Sequence, residues 1–295
     1  MLTYKNNTSG DSMRTHAIQT GTVAIKTRQL QGSGCGPLRR VTTLLDPTWS
    51  AELPIYAWVI EHPEGLIVVD TGETAQASTA GYFPRWSPYY RFGVRLKVAP
   101  EHEIGPQLHA RGLSPKDVRW LVLTHVHTDH AGGLAHFPHA EILLSRREYD
   151  DAAGPGGQLR GSLPQRWPTW FAPRLIQFAE QPVGPFPTSF PLTHAGDVLL
   201  VPTPGHTMGH LSLLLHDGPS TLFFAGDTSY SEQLMLDGVI DGVSADVGAA
   251  RQTLLRIKQL AREQPLVYLP SHDPAAAARL EARQAITFGP SNPAR

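Results

Sequence analysis

The chain of 295 residues reads as a single α/β domain, a layered fold whose strands are covered by helices. Three observations lead there. Apolar runs of strand length recur between loops and one long amphipathic helix. Several of those runs end in a histidine or an aspartate. No break in composition divides the chain, and 41% hydrophobic with 17% charged residues is enough for one large core. Residues 13–295 are therefore expected to form the domain. Residues 1–12 are expected to be a polar, flexible extension, with Met13 as a candidate alternative start.

In chain order, Thr22–Thr27 alternates enough for a first strand, and Gln31–Pro37 is a loop by its glycine and proline content. Ile55–Ile60 and the apolar run Leu66–Val69 flank Glu64-Gly65 and pair naturally as a hairpin. Asp70 closes the second run, where a buried carboxylate needs a partner. It is either an ordinary turn aspartate or the group that holds the free N–H of a ligand histidine. Residues 81–92 carry six aromatics and two prolines without helical or strand period. This stiff loop has three readings: the lining of an apolar cleft, a subunit contact that builds a homodimer, or an arm packed on its own domain.

Pro100–Arg111 reads as a short amphipathic helix stopped by Gly112, and Val118–Leu123 as a strand. Glu141–Ser145 is another strand, and residues 152–173, rich in Gly, Pro and Trp, form a lid-like insertion. Three further strands run into candidate ligands: Val198–Gly205 into His206, Thr221–Gly226 into Asp227, and Pro265–Ser271 into His272. Asp246–Glu263 is the strongest helix, with Val247, Ala250, Leu254, Ile257 and Ala261 on one face. Ser291–Arg295 reads as a loose tail.

A net charge of −1 carries no footprint for nucleic acid or an anionic membrane surface. The lone Cys35 excludes an intramolecular disulfide and thiolate-rich metal sites, and reads as an incidental thiol. No apolar run reaches the roughly 20 residues of a membrane helix. A cytoplasmic protein is the expectation.

The chemistry concentrates at Thr124-His125-Val126-His127-Thr128-Asp129-His130, where three histidines and one aspartate fall within six residues behind a buried strand. His125 and His127, two apart, point the same way while the chain is extended, and Asp129 and His130 face a second ion after the turn. With His206 the first pair makes a three-imidazole site. Asp129, His130 and His272 make the second, and Asp227 is suited to bridge them. Histidine and carboxylate ligands fit zinc first among divalent metals, with manganese, iron and cobalt also admissible. Two ions about 3.5–4 Å apart hold a bridging hydroxide at neutral pH and polarise a carbonyl or phosphoryl oxygen. His210 is expected to support the loop after His206. His16, His62, His102, His109, His136, His139, His194 and His216 are assigned to surface or core.

The His-x-His-x-Asp-His turn of residues 125–130, Thr203-Pro204-Gly205-His206-Thr207, Gly226-Asp227 and the late His272 resemble the metallo-β-lactamase superfamily, from about Thr22 to Arg283. The resemblance implies an αββα sandwich with two metals at one edge between the sheets. Class B β-lactamases lack the bridging carboxylate that Asp227 supplies. Glyoxalase II enzymes share the ligands but add a C-terminal helical domain, for which the 23 residues after His272 are too few. Gly226-Asp227-Thr228-Ser229-Tyr230 is similar to N-acyl homoserine lactonases, which place a tyrosine three residues after the bridging aspartate.

The resulting expectation is a dinuclear lactonase that opens N-acyl homoserine lactones by attack of the bridging hydroxide. Tyr230 would support the carbonyl oxygen, and Asp129 would carry a proton to the leaving alkoxide. The loop at 82–92, with Trp167 and Trp170, would form an apolar channel for the acyl chain. The alternatives are an organophosphate or aryl ester hydrolase and a glyoxalase II-like thioesterase. A non-enzymatic module binding a partner through the aromatic loop is the remaining one.

Overall fold

The computed structural model describes residues 12–34, 36, 38–154 and 156–288. The expectations for Cys35, for residues 1–11 and for the tail from Ser291 lie outside them. Among the described residues, twelve strands form two sheets. The first holds, in spatial order, β4 (Val94–Lys97), β1 (Thr15–Ile25), β2 (Leu53–His62), β3 (Gly65–Val69), β5 (Val118–Val122), β6 (Glu141–Ser145) and β7 (Arg174–Ile176). The second holds β12 (Leu266–Pro270), β11 (Ser220–Gly226), β10 (Leu211–Asp217), β9 (Val198–Pro202) and β8 (Phe190–Pro191).

Alternation along each strand explains why the two sheets stack. Trp58, Ile60, Ile67, Val69 and Val122 of the first sheet meet Leu200, Leu213, Leu222, Phe224 and Leu269 of the second in one buried layer. The intervening residues face outward. Val59, Val68 and Leu121 pack beneath Ile104 and Leu108 of the helix Ile104–Ala110. Leu214, Phe223 and Tyr268 pack beneath Leu254, Ile257 and Leu260 of the helix Val247–Glu263. Because helices bury both outer faces, the central strands read as nearly unbroken apolar runs. The result is the expected αββα sandwich.

Several boundaries differ from expectation for local reasons. β1 starts at Thr15, seven residues earlier than Thr22, because Thr15 to Val23 pair along β2 from Ile60 to Leu53. The long helix begins at Val247, with the Asp246 side chain capping it by accepting from the Ala249 N–H at 2.9 Å. Pro100–Arg111 divides into a 3-10 turn (Pro100–His102) and a helix (Ile104–Ala110), separated by Glu103. The Glu103 carboxylate accepts from the Ala75 N–H at 2.7 Å and pairs with His136. β4, β7 and β8 are new and span only 4, 3 and 2 residues, too short to show a period. β10 is also new: a 7-residue apolar strand between β9 and β11, antiparallel to both.

Strand direction decides where the functional residues gather. β3, β5 and β6 run parallel. In the other sheet β9 and β11 are each antiparallel to β10, and β12 is parallel to β11, so all three point the same way. The C-terminal ends of β5, β9, β11 and β12 thus meet at one edge of the sandwich. The Leu211 N–H donates to the Thr124 carbonyl at 3.0 Å, and the Tyr56 N–H to the Ser271 carbonyl at 2.9 Å, which ties the two sheets together there.

Candidate metal centre and substrate cavity

All seven expected ligands converge at this edge. His125 and His127 follow β5, His127 in extended backbone, and Asp129 and His130 sit on the short helix Thr128–Ala131. Gly132 lets that helix close on the loop after β3, since a Cβ there would stand 2.4 Å from Glu73 Oε1 and 2.8 Å from Glu73 Cα. His127 Nδ1 lies 3.1 Å from His125 Nε2 and 3.0 Å from His206 Nε2. On the other side His272 Nε2 lies 3.5 Å from Asp129 Oδ2, and His130 Nε2 3.9 Å from Asp129 Oδ1. Asp227 stands between the groups. Its Oδ2 is 3.5 Å from His206 Nε2, and its Oδ1 is 3.2 Å from His130 Nε2 and 3.4 Å from His272 Nε2.

These donor atoms suit cations better than one another. His130 Nε2 and Asp227 Oδ1 are buried and make no hydrogen bond despite their proximity. Orphaned buried polar atoms are costly, and a shared cation removes the cost. Burial first, then the neighbouring imidazoles, holds His125 well below its ordinary pKa and His127 down to about 3. Both therefore offer a neutral imidazole lone pair. Burial opposes charge on Asp227, but His272 and His130 hold its carboxyl well below the usual carboxylate range. A largely buried cluster of five imidazoles and two carboxylates fits two divalent ions.

The second nitrogen of each candidate ligand imidazole also has a partner, as metal-binding histidines require. His130 Nδ1 lies 2.9 Å from Asp70 Oδ2, the supporting role expected for Asp70. The same carboxylate accepts from the Thr124 N–H and hydroxyl, each at 2.8 Å. These three bonds hold Asp70 at a left-handed φ of 58°, a strained conformation for a non-glycine residue. His125 Nδ1 meets the Thr124 hydroxyl at 3.1 Å, His272 Nδ1 the Pro54 carbonyl at 2.9 Å, and His127 Nε2 the Arg160 carbonyl at 2.6 Å.

His206 Nδ1 faces Asp241 Oδ2 at 3.5 Å, and Asp241 Oδ1 accepts from the Val243 and Ser244 N–H groups. Sequence reasoning missed Asp241, because Asp241-Gly242 carries only a turn signal. Asp241→Ala is expected to weaken metal retention about 10–100-fold in a chelator competition. Unchanged retention would remove Asp241 from the site.

His210 supports the loop as expected, with Nε2 accepting from the Asp227 N–H at 3.1 Å and Nδ1 beside the Thr203 hydroxyl at 2.8 Å. The other eight histidines stay away from the cluster. His16, His62 and His136 pair with Glu61, Asp197 and Glu103, and His216 Nδ1 meets the Thr221 hydroxyl. His102, His109, His139 and His194 are exposed.

The candidate ligands open into a cavity of about 250 Å³. His127, Asp129, His206, Asp227 and His272 form its floor, with Tyr230 beside them. The Tyr230 ring stacks on His272 at 5.6 Å, and its hydroxyl accepts from Gln29 Nε2 at 2.9 Å. Burial, reinforced by the charges of Asp227 and Asp241, pushes the phenol well above its ordinary pKa. Tyr230 therefore remains a neutral O–H donor. The walls are largely apolar, with Val23, Ile25, Leu96, Trp86, Leu159 and Met208 among them.

The aromatic loop answers two of its three readings at once. Phe83 stacks on Tyr90 at 4.3 Å, so the loop packs on itself, while Trp86, Tyr89 and Tyr90 line the cavity. The insertion contributes Leu159, Arg160 and Ser162 at the mouth, which fits the lid expectation. Its tryptophans do not reach the cavity, which corrects the expected channel. Trp167 stacks on Tyr149 at 5.9 Å and meets Phe171 at 5.0 Å, against the outer face of the first sheet. Trp170 is 40% exposed and stands outside the lining.

Comparison with known proteins agrees with this picture. The family model described as metallo-beta-lactamase superfamily matches residues 51–272. The N-acyl homoserine lactonase AttM of Azorhizobium caulinodans is 26% identical over 276 residues, covering 90% of this chain and 94% of that protein. Among solved structures, the Bacillus thuringiensis AiiA variant with N-decanoyl-L-homoserine bound at its active site superposes with a TM-score of 0.72 at 21% identity. That match covers 94% of this chain and 98% of the other. AidC, a dizinc quorum-quenching lactonase in complex with its product, superposes with a TM-score of 0.62 at 18% identity, covering 90% of this chain and 91% of its own. Both likenesses concern the fold.

Proposed function

This chain belongs to the metallo-beta-lactamase superfamily, and from that premise we propose that it is a two-metal lactonase that opens N-acyl homoserine lactones. The observation that carries the reading is the pairing of the seven-ligand cluster with a neutral tyrosine hydroxyl at the floor of an apolar cavity. The relative named N-acyl homoserine lactonase, matched over nine-tenths of this chain, supports the same substrate class.

His125, His127 and His206 would hold one ion and Asp129, His130 and His272 the other, with Asp227 shared between them. Zinc is the metal we propose, from the histidine-rich donor set and the dizinc lactonase of the same fold. Bound there, two such ions supply hydroxide at neutral pH and electrophilic assistance to an ester carbonyl. The protein's own groups do the rest. The Tyr230 O–H donates to the lactone carbonyl oxygen as negative charge grows on it. Water adds at the acyl carbon and gives up a proton to the Asp129 carboxylate, half-buried at the floor; the ring C–O bond breaks, and Asp129 passes that proton to the departing alkoxide. The apolar walls hold the acyl chain and keep bulk water from the reacting ester.

A substrate panel tests the proposal. Values of kcat/KM are measured for N-acyl homoserine lactones, aryl phosphotriesters, aryl esters and a glutathione thioester. The lactones are expected to lead by at least about tenfold, a difference of roughly 1.4 kcal/mol in transition-state stabilisation. A faster phosphotriester or thioester, or no lactone opening at all, would overturn it.

A further inference from the structure

The Gln29 side chain is buried in the cavity wall, 3% exposed, and reaches two phenols at once. Its Nε2 donates to Tyr230 Oη at 2.9 Å and to Tyr89 Oη at 3.1 Å. Its Oε1 is buried without a hydrogen-bond partner. Turning the amide over would put Oε1 against the phenols but leave the NH₂ group, with two donors instead of one acceptor, enclosed and unpaired. The observed orientation is therefore the cheaper one. The main chain also anchors this residue. The Gly242 N–H donates to the Gln29 carbonyl at 2.8 Å, in the loop that carries Asp241. A Cβ at Gly242 would stand 2.3 Å from the Arg28 carbonyl, so the close approach requires glycine.

An amide that donates to both phenol oxygens forces each phenol to use its proton elsewhere. Among the described residues no acceptor takes the hydroxyl proton of Tyr89 or Tyr230. Both side chains line the same cavity.

We propose that Gln29 is a positioning residue that makes Tyr230 and Tyr89 obligate O–H donors into the cavity, with Tyr89 hydrogen-bonding the amide carbonyl of the substrate's acyl group. The second half rests on the lactonase reading above, because only an N-acyl substrate carries that carbonyl beside the ester. The first half applies to any ester.

Isosteric Gln29→Glu tests the polarity of the arrangement. A carboxylate accepts from both phenols, so it keeps the packing and both contacts while turning the protons away from substrate. It is expected to lower kcat about 10²-fold for both a lactone and an aryl ester, the loss typical of one oxyanion donor. The loss should be at least as large as that of Gln29→Leu, which frees the phenol protons. In a Tyr230→Phe background, Gln29→Glu is expected to cost less than about threefold more, because the two act on the same proton. Melting temperature and bound metal are followed in each variant. Turnover by Gln29→Glu within about threefold of wild type, a larger loss in Gln29→Leu, or losses that multiply across the double variant would each overturn the positioning role.

For Tyr89, calorimetric affinity for an uncleavable N-acyl γ-lactam is the readout. Tyr89→Phe is expected to weaken it about fivefold, one neutral hydrogen bond, and unchanged affinity would refute the contact. If the wild-type protein neither opens lactones nor binds the lactam, the lactonase reading and the Tyr89 contact fail together. The Gln29 series on the aryl ester then still decides the positioning role.

Discussion

Asp227→Ala is expected to leave the protein with fewer than two bound ions and with lactone opening reduced by at least about 10²-fold. Loss of an outer partner alone costs 10–100-fold in metal affinity, and Asp227 stands at the centre of the donor set. Its two oxygens face the His206 side and the His130–His272 side separately, at 3.5, 3.2 and 3.4 Å. No other carboxylate among the described residues approaches both groups. Truncation removes the anion that the facing imidazoles share and leaves buried donors without it. Metal analysis of the dialysed variant reads the effect, with thermal unfolding as a check on folding. Two tightly held ions in Asp227→Ala would show that the aspartate is not shared between sites.

Tyr230→Phe separates chemistry from assembly. It removes one oxygen from a ring that keeps its stack on His272 and its place among Ile25, Leu53 and Ile55. Metal content and melting temperature are expected to hold. Turnover is expected to fall about 10²–10³-fold, the typical loss of an oxyanion donor. KM should move little, because the donated bond strengthens only as charge develops on the oxygen. Unchanged turnover would reduce Tyr230 to a packing residue.

What could be read from the sequence depended on distance along the chain. The convergence of the turn at 125–130 was legible because four candidate ligand side chains stand within six residues behind a buried strand. His206, Asp227 and His272 were legible because each follows an apolar run, and parallel strand ends meet at one edge. Asp70 was legible for the same reason, as a carboxylate closing such a run.

Partners joined only by folding left no local mark. Asp241 meets His206 from 35 positions away, and Gln29 meets Tyr230 across 201. The aromatic loop was recognisable by composition, but which rings face the cavity depends on its π-helical turn at Tyr89–Gly93. Trp167 illustrates the limit. Proximity to a lid suggested a channel, whereas its contacts with Tyr149 and Phe171 bind it to the outer core.

The central claim is that two ions held by these seven side chains open a lactone ring. Metal-depleted protein titrated with Zn²⁺, with proton release from an N-acyl homoserine lactone followed at constant pH, tests it most directly. Activity is expected to climb and level off at about two equivalents per chain. A plateau at one equivalent, or no proton release at any metal loading, would contradict the account.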